Sequence, residues 1–154
     1  MPKSFRYYLR VRYSECDAQK VVFNARYGEY VDLGTVEFLR ALGYSTGLSG
    51  GELDYQVVKQ TVEWKASAHF DQILELSLFA THLGTTSFTL ATEIRIAGSE
   101  SLIVAAETVH VLIDAATLGK ISLPASLRSA LEKGASGAVT DHAGYHVNQG
   151  GNKR

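Results

Sequence analysis

The stretch of sequence that decides the fold runs from Tyr13 to Leu39 and reads YSECDAQKVVFNARYGEYVDLGTVEFL. Its second half begins a helical pattern, because the apolar residues from Ala25 to Leu42 recur at helical spacing and fall on one stripe. Asn24 is a plausible N-cap for this helix, and Gly43 is a plausible residue just after its end. Its first half carries a carboxylate, Asp17, seven residues before Asn24. The stretch therefore predicts a long helix that begins close to an acidic connecting segment.

The pairing of Asp17 with a helix start has a chemical meaning. A helix N-terminus offers free backbone N–H groups and a partial positive charge, which can polarise a carbonyl. A carboxylate facing such a carbonyl suggests acyl hydrolysis, with the carboxylate as nucleophile or as general base for water. The same residues also permit a purely structural interpretation, in which Asp17 caps a turn and Asn24 caps the helix.

The sequence on either side of the helix is patterned as strands. Phe5–Tyr13 alternates and predicts one strand before the helix. Ser45–Glu52 is rich in glycine and serine and predicts a loop, and three or four long strand patterns follow it at 55–68, 73–82, 87–96 and 102–113. Pro124–Lys133 predicts a short second helix. One long helix against a curled antiparallel sheet is an α+β arrangement.

Composition sets the broad class. The 154 residues suit one domain, which we place at 1–133, followed by a glycine-rich polar tail at 134–154 that is flexible or lies on the surface. The formal net charge of -1 argues against nucleic acid and against an anionic membrane surface as partners. No apolar run approaches the roughly 18 residues of a membrane span, and the N-terminus lacks the apolar block of a signal peptide. The single cysteine, Cys16, fits a reducing compartment, so we expect a cytoplasmic protein.

Three stretches carry a resemblance to a known family. The first comprises VRYSECDA at 11–18, VVFNARY at 21–27 and the helix up to Arg40; the second is SAHFD at 67–71; the third comprises AAETVHVLID at 105–114, Gly119-Lys120 and LPASL at 123–127. In this order and spacing, over roughly residues 5–132, the chain resembles the hotdog-fold acyl-CoA thioesterases. The branch it resembles most is the 4-hydroxybenzoyl-CoA thioesterase-like family.

The chain departs from the family pattern at several positions. Gln19-Lys20 stands where these proteins often have two glycines, and Asn24 stands where several have histidine. Ser67 and His69 replace a proline and an arginine of the second stretch. These departures affect the substrate that the resemblance implies, and leave the implied fold unchanged.

The resemblance implies a hotdog fold, in which a curled antiparallel sheet wraps around one long central helix. It implies hydrolysis of an acyl-CoA thioester, with Asp17 as the catalytic carboxylate and the backbone N–H of Asn24 or its neighbour against the thioester oxygen. It also implies that Asn24, Tyr27 and Ser87 bind substrate, although an aromatic residue at helical spacing, such as Tyr27, more often belongs to the core. No metal or separate cofactor is expected, because CoA is part of the substrate.

Other functions stay open at this point. A non-catalytic acyl-CoA binding module is compatible with the fold, since function depends on the site and not on the scaffold. A hotdog dehydratase acting on hydroxyacyl thioesters is disfavoured, because Asn24 stands where such enzymes have histidine. Pairing of Cys16 with a histidine has no support from spacing, and His142 with His146 has metal-binding spacing but no third ligand nearby. The acyl group is left open between aryl, short-chain and medium-chain groups, and so is a carrier-protein thioester.

An oligomer is the last expectation. A single sheet over one helix leaves an exposed sheet edge. The resemblance implies that two subunits bury such surfaces and complete the site together, so we predict a homodimer or a homotetramer.

Overall fold

The computed structural model describes residues 3–44 and 53–146. Its elements, in chain order, are β1 (Phe5–Arg10), α1 (Arg26–Ala41), β2 (Leu53–Trp64), β3 (Ile73–Leu83), β4 (Ser87–Ile96), β5 (Leu102–Asp114), α2 (Ala125–Lys133) and β6 (Val139–Asp141). One six-stranded sheet has the order β2-β5-β4-β3-β1-β6. The predicted α+β architecture, with one long helix on a sheet, is confirmed. The loop predicted at Ser45–Glu52 lies outside the described residues.

The long helix buries the stripe that its sequence predicts. Its buried residues are Tyr27, Tyr30, Val31, Gly34, Thr35, Phe38 and Leu39. They pack on the inner face of the sheet, where strands β1 and β3 contribute the neighbouring core. The helix lies close to the sheet at Gly34, where a Cβ would lie 3.2 Å from a methyl carbon of both Leu76 and Leu78. Gly43 follows the helix with φ +108°, a conformation that favours glycine, so its predicted place after the helix end is confirmed.

The first strand is shorter than the prediction. It ends at Arg10, and Tyr13–Glu15 forms a short 3-10 helix instead of continuing the strand. Just beyond Arg10, the Val11 N–H bonds the Gln72 carbonyl and the Val11 carbonyl accepts the Asp71 N–H, so the pairing continues for one residue up to the turn before β3. The Tyr13–Glu15 turn then leads the chain out of the ladder. The chain is thereby turned away from the sheet toward the start of α1.

A sixth strand lies in the segment that the sequence analysis assigns to the tail. Residues Val139–Asp141 pair with β1 in parallel, which makes the sheet mixed rather than wholly antiparallel. Ala135 and Ala138 pack against the core, and Tyr145 stacks on Tyr8 with ring centroids 5.1 Å apart. A tail with so few apolar residues gives no periodic strand pattern, so its ordering depends on β1 as a template. No helix in the described part of the chain is long and apolar enough to cross a membrane.

Candidate active site

Asp17 lies in a tight exposed loop between Cys16 and Val22, which pair as an isolated antiparallel bridge. The loop closes on itself, because the Asp17 N–H bonds the Val21 carbonyl and the Lys20 N–H bonds the Asp17 carbonyl, both at 2.9 Å. Oδ1 of Asp17 accepts the Gln19 N–H at 2.8 Å. Its Oδ2 has no hydrogen-bond partner among the described residues. The carboxylate therefore does cap a turn, and one oxygen is left for another role.

The Asp17 loop is tied to the segment that precedes β3. The Val22 N–H bonds the Ala68 carbonyl at 2.9 Å, and the Phe70 N–H bonds the Lys20 carbonyl at 2.9 Å. Val21 also forms a bridge with His69. The first and second stretches of the family resemblance are thus neighbours in space, although they are about 50 residues apart in sequence.

A buried carboxylate, Glu15, anchors the same loop to α1. It is only 4% exposed. Oε1 accepts the Arg12 backbone N–H at 2.7 Å and the Tyr30 hydroxyl at 3.0 Å, while Oε2 accepts Arg12 Nη2 at 2.6 Å and Nε at 3.0 Å. Glu15 also holds the helix entry, because its carbonyl accepts the Phe23 N–H at 3.0 Å.

The electrostatics of Glu15 follow from these contacts. Burial by itself raises the pKa of this carboxyl, but the bonds from the Arg12 side chain, the Arg12 N–H and Tyr30 outweigh burial, so the pKa lies below its ordinary value. Glu15 is therefore ionised and paired at neutral pH. The sequence analysis missed it; the available signal was an acidic residue three positions after Arg12, which is ion-pair spacing on one helical turn.

The start of α1 differs from the prediction. Asn24 is not the N-cap: the helix begins at Arg26, Ala25 is the N-cap, and no side chain caps it. Ala25 already has helical dihedrals, so the Asn24 carbonyl accepts the Tyr27 N–H in a tight first turn, at 3.4 Å. The same carbonyl accepts Trp64 Nε1–H from β2 at 3.2 Å. The backbone N–H groups of Asn24 and Ala25 have no acceptor within residues 3–44 and 53–146, as a helix N-terminus leads one to expect.

Tyr27 lies in the core and not at the surface of the site. Its side chain is 2% exposed, and its ring meets Tyr30 edge to face at 5.7 Å. The hydroxyl accepts the Ala68 N–H at 3.1 Å. Burial raises the pKa of Tyr27, and the Ala68 bond offsets part of that effect. Tyr27 thus connects α1 to the segment that holds the Asp17 loop.

Ser87 is far from Asp17 within one chain. It is the first residue of β4 and pairs with Val111 of β5, whereas the helix start contacts Trp64, which pairs with Val104 of β5. Seven residues of strand separate these two positions on β5, or about 23 Å at 3.3 Å per residue. The structure therefore brings Asp17, Asn24 and Tyr27 to one end of the sheet and places Ser87 at the other.

The two alternative sites from the sequence analysis have no geometric support. His142 contacts Tyr7 and His146 contacts Tyr8, and consecutive strand residues point to opposite faces, so this pair cannot share one metal ion. Cys16 has a thiol that contacts the Arg12 carbonyl at 3.6 Å. Within the described ranges no three metal-ligating side chains cluster.

Comparison with known proteins decides the family. The sequence pattern of the thioesterase-like superfamily matches residues 11–131. This chain belongs to that superfamily. The YbgC acyl-CoA thioester hydrolase of Escherichia coli is 31% identical to it over 124 residues, which is 80% of this chain and 92% of the relative. The matching protein from Shigella flexneri gives the same figures.

Solved structures of related proteins have the same architecture. The PA5185 protein of Pseudomonas aeruginosa superposes with a TM-score of 0.78 at 25% identity, over 86% of this chain and 92% of that chain. The 1,4-dihydroxy-2-naphthoyl-CoA thioesterase of Synechocystis superposes with a TM-score of 0.74 at 24% identity, over 83% of this chain and 95% of that chain. The predicted hotdog fold and the predicted thioesterase class are confirmed. The match to the superfamily ends at residue 131, so β6 and the segment around it lie beyond it.

Proposed function

We propose that this thioesterase hydrolyses acyl-CoA thioesters to a free acid and CoA. The observation that carries the proposal is the arrangement of Asp17 beside the helix start. Among the described residues, Oδ2 of Asp17 and the N–H groups of Asn24 and Ala25 have no hydrogen-bond partner, and the loop is fixed to α1 through Glu15. The naming of YbgC as an acyl-CoA thioester hydrolase supports the choice of substrate class.

In this mechanism the thioester carbonyl oxygen accepts hydrogen bonds from the Asn24 and Ala25 N–H groups. These donors, with the partial positive charge of the helix start, stabilise the oxyanion that forms on attack. Asp17 acts in one of two ways. As a general base it takes a proton from water, the resulting hydroxide attacks the carbonyl carbon, and the collapsing intermediate expels the CoA thiolate, which takes up the proton. As a nucleophile it forms an acyl-aspartyl anhydride with loss of the thiolate, and water then hydrolyses the anhydride.

The other predicted substrate-binding residues have distinct roles in this proposal. Asn24 contacts the substrate through its exposed side chain and its N–H. Tyr27 acts as a positioning residue through its bond to Ala68. Ser87 contacts substrate only if a second subunit brings its end of the sheet to the helix start.

A homodimer joined along β2 provides such a subunit. Strand β2 is the edge of the sheet, and Val57, Val58 and Trp64 on it are 47%, 58% and 54% exposed. An exposed edge with apolar side chains is a surface that pairs readily with another strand. A homotetramer, formed from two such dimers, is the alternative assembly.

The test is thiol release from a panel of acyl-CoAs carrying aryl, short-chain and medium-chain groups, with an acyl carrier-protein thioester included. Asp17→Asn and Asp17→Ala should lower kcat by at least about a hundredfold while the fold is retained. Glu132→Gln, which removes an exposed carboxylate on α2, is the matched control and should keep full activity. Thiol release by Asp17→Asn at the wild-type rate contradicts the proposed role of Asp17. Tight acyl-CoA binding by the wild type without thiol release contradicts the hydrolase proposal itself.

A further inference from the structure

A cavity lies between α1, β1 and the C-terminal segment. It has a volume of about 360 Å³ and is lined by Tyr7, Leu9, Arg10, Arg12, Leu33 and His142. This volume is within the range of about 300–1,000 Å³ that is usual for small-molecule sites. His142 stands beyond residue 131, so part of the wall comes from the segment outside the superfamily match.

The polar atoms in this wall are mainly hydrogen-bond donors. Arg12 uses Nε and Nη2 for Glu15, and Arg10 uses Nη1 for the Asp71 backbone and carboxylate. A guanidinium carries five N–H donors, so Arg12 Nη1 and Arg10 Nε and Nη2 remain without an acceptor within the described ranges. The lining includes no carboxylate.

The acidic residues near the cavity are already paired. Glu15 is bonded to Arg12, Asp71 to Arg10, and Glu37 to Arg40. None of them is therefore left to occupy the free guanidinium donors. An anion that enters the cavity can therefore accept hydrogen bonds from the remaining donors of both arginines.

The histidine and the tyrosine add to this polarity. His142 Nδ1 lies 3.2 Å from the Tyr7 hydroxyl. Burial raises the pKa of Tyr7, with a further contribution from Glu37, so the phenol keeps its proton and can donate to Nδ1. In the tautomer whose Nδ1 accepts from Tyr7, the neutral histidine carries its proton on Nε2, which supplies one more donor.

The remaining wall is apolar. Leu9 is 7% exposed, whereas Leu33, on the outward side of α1, is 41% exposed. A ligand with a charged oxygen group at one end and a small apolar body at the other matches the two halves of this wall. Planar carboxylates suit arginine especially well, because two N–H groups can bond both oxygens.

We propose that this cavity is a second ligand site, which binds the carboxylate of a small apolar organic acid. Such acids belong to the chemical class that thioester hydrolysis releases; this link alone rests on the proposed function. A bound carboxylate contacts Arg12, which also holds Glu15 two residues from Asp17. Binding of a product acid in this cavity can therefore affect the Asp17 loop through Arg12 and Glu15.

The test is isothermal titration calorimetry of the full chain with sodium benzoate and sodium hexanoate, and with benzamide and hexanamide as neutral counterparts. The wild type should bind the acids and not the amides. Leu33→Asp adds a negative charge to the wall and should weaken acid binding by about tenfold or more, whereas Leu33→Asn, of the same size and neutral, should weaken it much less. Asp17→Asn should bind the acids as the wild type does.

Three results would overturn the assignment. One is the absence of saturable acid binding to the wild type. Another is equal binding by Leu33→Asp and wild type, which would place the acid outside this cavity. The third is a change of mass in light scattering for both Leu33 variants, which would make this face a contact between copies. Because binding is measured directly, failure of thioester hydrolysis leaves the test intact.

Discussion

The hydroxyl of Tyr30 donates a 3.0 Å hydrogen bond to Oε1 of Glu15. This bond joins the second turn of α1 to the loop that carries Asp17. Both residues are buried, and Glu15 is bonded on its other side by Arg12. The position of Asp17 relative to the helix start therefore depends on a charged network inside the protein rather than on the exposed loop alone.

Tyr30→Phe removes this bond and keeps the ring in place. Glu15 retains its three bonds to Arg12, so we expect a loss of about 1–3 kcal/mol in the free energy of unfolding. In the proposed mechanism kcat falls and KM changes little, because the substrate contacts are intact. Urea unfolding and steady-state thiol release measure the two effects. Stability and kcat both equal to wild type would exclude a role for the network.

Trp64→Phe tests the hydrogen bond from the Trp64 side chain to the start of α1. An aromatic ring is retained, although a smaller one, but the Asn24 carbonyl loses its 3.2 Å hydrogen bond from Nε1–H. Since the ring is 54% exposed, we expect a change of less than about 1 kcal/mol in unfolding free energy. We expect kcat for thioester hydrolysis to fall by up to about tenfold, because the N–H groups of Asn24 and Ala25 are less firmly held. An unchanged kcat would show that the sheet edge does not position these donors.

Gly34→Ala should destabilise the protein although alanine is the better helix former. The new Cβ meets Leu76 and Leu78 at 3.2 Å, and both leucines are fully buried, so close packing opposes the shift that the new methyl group requires. Overpacking costs about 1–3 kcal/mol and exceeds the gain of about 1 kcal/mol in helix propensity. Gly28→Ala is the matched control, since its Cβ meets only Gln60 at 3.6 Å. Thermal unfolding should show a lower Tm for the first variant and an equal or higher Tm for the second.

His110 should make stability fall in mild acid. Burial lowers the pKa of this histidine from 6.5 to about 4, partly offset by nearby backbone carbonyls. Between these two values the unfolded chain binds a proton that the folded chain does not, so stability decreases as pH falls through this window, by up to about 3 kcal/mol.

The variant His110→Phe isolates this contribution. Nδ1 of His110 has no hydrogen-bond partner in the described part of the chain, and the ring stacks on Phe88 at 4.7 Å, so phenylalanine fits the site chemically. Chemical unfolding from pH 7.5 to pH 4.5 should give a flatter profile for the variant than for the wild type. Identical slopes would mean that His110 is not the group responsible.

Val58→Lys tests the proposed dimer. A lysine on the exposed edge of β2 opposes pairing with a second copy. Light scattering should give the wild type a mass at least twice the 16.8 kDa of one chain and give the variant a lower mass. Leu118→Lys is the control, because Leu118 is equally exposed, at 61%, but lies in the turn after β5. A wild-type mass of one chain would contradict the dimer.

Much of the fold could be predicted from the sequence because its signals are local. The apolar stripe of α1 depends on residues three and four apart, and the strand patterns depend on every second residue. The residue after the helix, Gly43, follows from the backbone conformation that the helix end requires. The candidate site was only partly predictable. The role of Asp17 as the catalytic carboxylate is implied by the family resemblance and stays a prediction, whereas the N-cap prediction for Asn24 is wrong because Ala25 takes that position.

By itself the sequence determined the α+β class, the central helix and the thioesterase-like family. Only the tertiary structure decided that Glu15 is buried and paired, that Ser87 and the helix start lie at opposite ends of the sheet, and that His142 and His146 lie on opposite faces of β1. It also decided that Val139–Asp141 joins the sheet. The reason is physical: periodicity and turn chemistry are set by near neighbours in the chain. Burial, strand register and hydrogen bonds between distant residues exist only once the chain has folded.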